Sequence, residues 1–200
     1  MSDVHVQALV NNTKDSSRNC DGNYWALNFS KDELKLKVYS SVAANVKLLR
    51  FKAVCILPYD VKTIVDFVED NINRMTWDRN VCDIKTHDVY SSDDASNRVK
   101  LLRVATKQVG PISGRDFVDV ISIRKIENGK YVNAGASISA KEIAFTEKCF
   151  PEGKAFVRGW NFSGGGWMFE PIETSDGSNS TQISYGKAIQ QPLQYSCLTN

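Results

Sequence analysis

Two hundred residues suffice for one well-filled domain and would cramp a second. Hydrophobic residues make up 42% and charged ones 24%, with 25 Lys and Arg against 23 Asp and Glu, a formal charge of +2. A balance this close gives no electrostatic basis for holding nucleic acid or a strongly anionic membrane.

Residues 1–17, MSDVHVQALVNNTKDSS, carry an aspartate at position 3 and no apolar run. They do not read as a secretory signal or a membrane span, and the expectation is a cytoplasmic protein. The sequons at Asn11, Asn28, Asn161 and Asn179 are then chance matches. Five scattered cysteines, Cys20, Cys55, Cys82, Cys149 and Cys197, show no CxxC spacing. They read as buried, reduced thiols, with no metal site and no cofactor.

The first alternating segment has Leu34, Leu36 and Val38 between Lys35 and Lys37, a half-exposed strand. A second strand, KLLRFKAVCIL (47–57), leads into PYDVKTIVDFVEDNINRMTWD (58–78). There Val61, Ile64, Val65, Val68 and Ile72 recur at steps of three and four, which predicts one long helix with these residues on one face. Pro58 suits its entry, and Asp60 and Asp66 lie toward its N-terminal half.

Strands follow at 81–92, 98–109, 115–126, 129–139, 154–162, 165–172 and 180–189. Asn128-Gly129, between alternating segments, predicts a two-residue type I′ hairpin turn. Polar turns fall at 91–97, which contains Asp93-Asp94, and at 174–180. An antiparallel meander interrupted by one helix is an α+β fold, and no repeat or linker divides it.

On RVKLLRVAT, Val99, Leu101, Arg103 and Ala105 share one face, and Lys100, Leu102 and Val104 share the other. The first face is the drier, so Arg103 is predicted to point inward. There it either pairs with an aspartate of the same sheet or serves as a polar foot for a mostly apolar ligand.

Catalytic residues are scarce. His5 lies in the N-terminal segment and His87 in a polar hairpin, and no nucleophile is placed beside either. VRGWNFSGGGWMFEP (157–171) sets three glycines among aromatics and Arg158. A phosphate loop needs its glycines followed by Lys-Ser/Thr and a helix, whereas these precede an alternating strand. Trp160 and Trp167 therefore read as wall residues, and the glycines as the bend between two strands.

WDRNV (77–81), GRDFVDV (114–120), FVRGWN (156–161) and GGWMFEPI (165–172) stand in an order resembling the START domains, the lipid-transfer modules related to steroidogenic acute regulatory protein. The likeness runs from about residue 24 to about residue 186 and is greatest to the small single-domain subgroup that carries sterols and bile acids. It implies a helix-grip fold, a curved antiparallel sheet wrapped around a C-terminal helix with a lipid tunnel between them. It also implies a non-enzymatic monomeric carrier of one sterol, oxysterol or bile acid, touching membranes transiently and binding no nucleic acid.

By that resemblance Arg103 falls where the family places a charged tunnel residue, and the position of its usual partner is Ile121, so the pair is broken. Ser137 resembles a tunnel serine. With a two-residue turn, however, Ile121 would pair with Ala136 and Val120 with Ser137, setting Ile121 and Ser137 on opposite faces unless Gly135 permits a bulge. The expected ligand wall is Leu101, Arg103, Ile121, Ser137, Trp160 and Trp167. One START-like domain spans 1–186, and 187–200 form a divergent tail too short for the lid helix, with Pro192 in its middle. Two alternatives follow: a truncated isoform that acts through a partner, or an enzyme on the same scaffold acting on an apolar substrate.

Overall fold

The computed structural model describes residues 6–7, 9–10, 24–42, 48–92, 97–138, 150, 156–162, 165–173 and 177–190. The alternating segments become ten strands: β1 (Ala26–Lys31), β2 (Leu36–Val42), β3 (Leu48–Leu57), β4 (Val81–Ser91), β5 (Asn97–Thr106), β6 (Arg115–Lys125), β7 (Tyr131–Ser137), β8 (Val157–Arg158), β9 (Gly165–Glu173) and β10 (Asn179–Gln190). They form a single sheet in the order β1-β2-β3-β10-β9-β7-β6-β5-β4, with β8 paired to β6. Along that order each strand runs antiparallel to its neighbours. The two-residue β8 is parallel to β6; among the described residues of the strand expected at 154–162, only Val157 and Arg158 form one.

The strand expected from Leu34 begins at Leu36. Asp32–Leu34 make a 3-10 turn closed by Lys35, whose φ of 45° is left-handed. β10 continues through Gln190, so residues 187–190 belong to the sheet rather than to a separate tail. The expectation of a short tail without a lid helix otherwise falls on residues 191–200, outside the described residues.

The long helix expected at 58–78 is two: α1 (Val61–Glu69) and α2 (Asn71–Trp77). Asp60 caps α1, its side chain accepting from the Thr63 N–H at 3.0 Å. Asp70 has an extended ψ of 117° and caps α2, accepting from the N–H groups of Ile72 and Asn73. Breaking the helix there shifts its phase. Val61, Ile64 and Val65 are buried against Phe169 and Ile183, as the periodicity requires, but Ile72 is 74% exposed.

The Asn128-Gly129 turn also differs from expectation. It holds three residues, Glu127–Gly129, with both Asn128 and Gly129 at positive φ. Ile126 donates to the Lys130 carbonyl, and the hairpin closes one residue out of the predicted register. Ile121 therefore pairs with Gly135 and Asp119 with Ser137, which puts Ile121 and Ser137 on the same face.

Both faces of the central strands are covered. On one, Phe169, Trp167, Ile183 and Cys55 pack beneath α1. On the other, Leu9 packs on Val132, Ala134 and Met168, while Phe150 packs on Leu101 and Val118. Cys55 is half-buried, its thiol pushed up by burial, whereas Cys82 is exposed rather than buried as expected. His87 is exposed on β4; His5, Asp93-Asp94, Cys20, Cys149 and Cys197 lie outside the described residues.

Candidate functional site: a cavity under the helix pair

Between the inner face of the sheet and the α1–α2 pair lies a cavity of about 300 Å³. Alternation along β5 and β6 aims Leu102, Val104, Phe117 and Ile121 into it, and Phe162 and Trp167 add aromatic wall. Trp167 stacks on Phe169 (centroids 6.3 Å, interplanar angle 13°), meets Trp77 edge-on and lies 4.4 Å from the Tyr185 ring.

Glycine leaves the room. Gly135, Gly165, Gly166 and Gly186 line the cavity on three neighbouring strands. A Cβ at Gly135 would meet Ile121 Cδ1 at 2.4 Å, and one at Gly166 would meet the Asn133 carbonyl oxygen at 2.0 Å.

Charged groups line the same space. Lys100 forms an ion pair with Glu69 at 2.5 Å across to the end of α1, and the Asn133 amide donates to the other oxygen of that carboxylate. Asp119 accepts from the Ser137 hydroxyl at 2.6 Å and from Asn161 Nδ2 at 2.8 Å. The Asn161 N–H in turn donates to Ser137 Oγ at 2.8 Å. Burial pushes the Asp119 carboxyl up, against the two hydrogen bonds that favour its charge. Burial also lowers the Lys187 ammonium, which lies over the Phe117 ring at 5.3 Å, and raises the Tyr185 phenol.

The expected wall is divided by this geometry. Ile121 and Trp167 line the cavity; Ser137 is buried one step behind it, holding Asp119 and Asn161, which do line it. Arg103 and Leu101 lie on the outer face, contrary to the inward orientation expected of Arg103. Of the two roles open to it, the ion pair is the one formed. Its Nη1 donates to Asp83 at 2.7 Å and its Nε to Asp116 at 3.1 Å, with the Phe156 ring 5.5 Å from Cζ. Arg158 closes on the same Asp116 at 2.9 Å. Leu101 packs with Val118 and Phe150, and Trp160, 48% exposed, is not part of the cavity wall.

Dryness misassigned the faces of β5 because both are buried, the outer one by Phe150 and Phe156 from distant sequence. The residues passed over are Lys100, Asp119, Asn161, Lys187, Glu69 and Asn133. A signal existed for Asp119, a carboxylate interrupting the apolar run FVDVISI. Glu69 and Lys187 carried none, since a terminal helix glutamate and a strand lysine are ordinary surface residues.

A family model for the START domain matches residues 6–168. The chain belongs to the START domain family. Human StAR-related lipid transfer protein 6 is 24% identical to this START chain over 143 residues, 72% of the chain. The match spans 60% of that relative's length. In fold, the START chain is similar to the solved structure of human StAR-related lipid transfer protein 5, with a TM-score of 0.68 at 18% identity over 94% of this chain and 79% of that one. A StAR-related lipid transfer protein fragment from Xanthomonas axonopodis gives 0.60 at 17% identity, covering 84% and 82%. The antiparallel sheet together with α1 and α2 matches the START helix-grip fold.

Proposed function

We propose that this START domain is a non-enzymatic carrier that buries one sterol-like lipid in the cavity beneath α1 and α2. The observation that carries this reading is the wall itself. Leu102, Val104, Ile121, Phe117, Phe162 and Trp167 form a rigid apolar patch within a lining of which about half the residues are polar or charged. A fused-ring body loses little conformational entropy when buried against such a wall, whereas flexible acyl chains lose much. Its transfer would require brief contact with membranes from an aqueous compartment, for which the cytoplasm is the proposed setting.

Mass spectrometry of lipid co-purifying with the full chain, followed by competition among cholesterol, a bile acid, ceramide and phosphatidylcholine, tests the reading. Saturable, competitive binding of cholesterol or the bile acid is expected. Retention of phosphatidylcholine or ceramide alone would overturn the sterol class, and saturable binding of none would overturn the carrier reading.

A further inference from the structure

One end of the cavity is closed by an ion pair. Along β5 the wall runs from Thr106 back to Lys100, roughly 20 Å at the rise of an extended strand. The next inward-facing positions, Arg98 on β5, Ile123 on β6 and Tyr131 on β7, are not part of the wall. Beyond that level α1 fills the space, with Ile64, Val65 and Val68 packed among Phe169, Ile183 and Tyr131. At the boundary Lys100 Nζ meets Glu69 Oε2 at 2.5 Å, and the Asn133 amide donates to Glu69 Oε1. These three side chains make a bar from the sheet to the last residue of α1.

The bar is stiff for an electrostatic reason. The Lys100 and Glu69 side chains are 11% and 7% exposed, so parting them strands two charges away from water. A methionine in the same place would swing aside for a ligand at little cost. The polarity of the bar is also turned on itself. Both Glu69 oxygens are taken, whereas Asn161 Oδ1 elsewhere on the wall is buried without a hydrogen-bond partner. We propose that Lys100, Glu69 and Asn133 are the end stop of the cavity and limit the length of the lipid it accepts. They act by exclusion and not by bonding to the ligand. The proposal rests on the sterol-carrier reading above and adds the residues that limit ligand size.

Two elongated probes test it, one for each end of a sterol. One is cholesterol with a butyl unit added to its side chain, compared with cholesterol. The other is cholesteryl butyl ether, compared with cholesteryl methyl ether. Affinities for the full chain are measured by native mass spectrometry. At least one extension is expected to weaken binding about tenfold relative to its parent, because a bar that cannot move aside leaves the extra carbons no room. Lys100→Ala combined with Glu69→Ala strands neither charge and should remove most of that penalty. Equal binding of long and short probes by the wild-type chain would overturn the end stop and leave the sterol carrier standing. A penalty that the double variant leaves unchanged would also overturn it, since the limit would then lie elsewhere. If the double variant fails to fold, sterols carrying a diazirine at the side-chain end or on the hydroxyl-bearing ring decide the question in the wild-type chain. One of them should label Lys100, Glu69 or Asn133, and labelling of other wall residues only, by both, would overturn the proposal. Saturable binding of no sterol at all would overturn the carrier reading and the end stop with it.

Discussion

Asp116 and Asp119 lie three residues apart on β6, face opposite ways and respond to burial in opposite directions. For Asp116, burial works to raise the carboxyl pKa, but the hydrogen bonds and charges of Arg158 and Arg103 outweigh it and hold it below the ordinary value. Asp119 has neutral donors, so burial wins and its pKa is raised. The consequences for stability have opposite signs. Asp116 contributes stability that is present above an unfolded pKa of about 3.9 and lost as pH falls through its lower folded value. Asp119 binds its proton more tightly when folded, so its contribution is fullest below about 3.9 and declines as pH rises toward its folded value. Asp119→Asn removes that decline, and the Asn161 amide can turn its unpaired Oδ1 toward the new Nδ2. Urea midpoints measured from pH 4 to pH 8 should therefore rise in the variant relative to wild type with increasing pH. Parallel profiles would contradict the assignment. The partners of Asp119 were not legible from residue type. Ser137 lies near Asp119 only through the three-residue turn, and Asn161 comes from 42 positions away.

At the scale of elements, small conformational choices set which residues meet. Glu127 joins Asn128 and Gly129 in the turn, so it closes over three residues instead of two, and that single step decides that Ile121 and Ser137 share a face. Asp70 ends one helix and caps the next, and the phase change turns Ile72 outward. Periodicity located α1 and its buried face correctly but could not detect the break, because Asp70 looks the same in a helix interior as at a cap. On β9, Gly166 adopts φ of 140° with the Asn133 carbonyl where a side chain would be. Gly166→Ala should destabilise the domain by roughly 3 kcal/mol, combining a glycine-only backbone conformation with a clash against main chain. Thermal or urea unfolding checks this, and a loss under about 0.5 kcal/mol, the scatter of ordinary surface substitutions, would mean that the strand yields. The glycine run is more than a bend: it keeps the floor of the cavity clear.

For the whole molecule, the cavity exists because α1 and α2 cover the inner face of strands that lie far from them in the sequence. Trp167 sits on the inner wall, while Trp160 is half-exposed beyond it. Binding of a sterol should shift tryptophan emission to the blue; Trp167→Phe should remove most of that change, and Trp160→Phe should leave it. A response that survives Trp167→Phe unchanged would mean that the ligand lies elsewhere.

The sequence by itself determined the alternating strands, the apolar stripe of α1 and the motif order that resembles the START domains, because each depends on residues near one another in the chain. Only the tertiary structure decided which face of β5 is inner. Arg103 looked inward by dryness, yet Asp83, Asp116 and Phe156 enclose it on the outer face, while Lys100 reaches the cavity by pairing with Glu69. The side of a strand that faces a cavity depends on what covers each face. That covering comes from segments far away in sequence, which alternation along one strand cannot report.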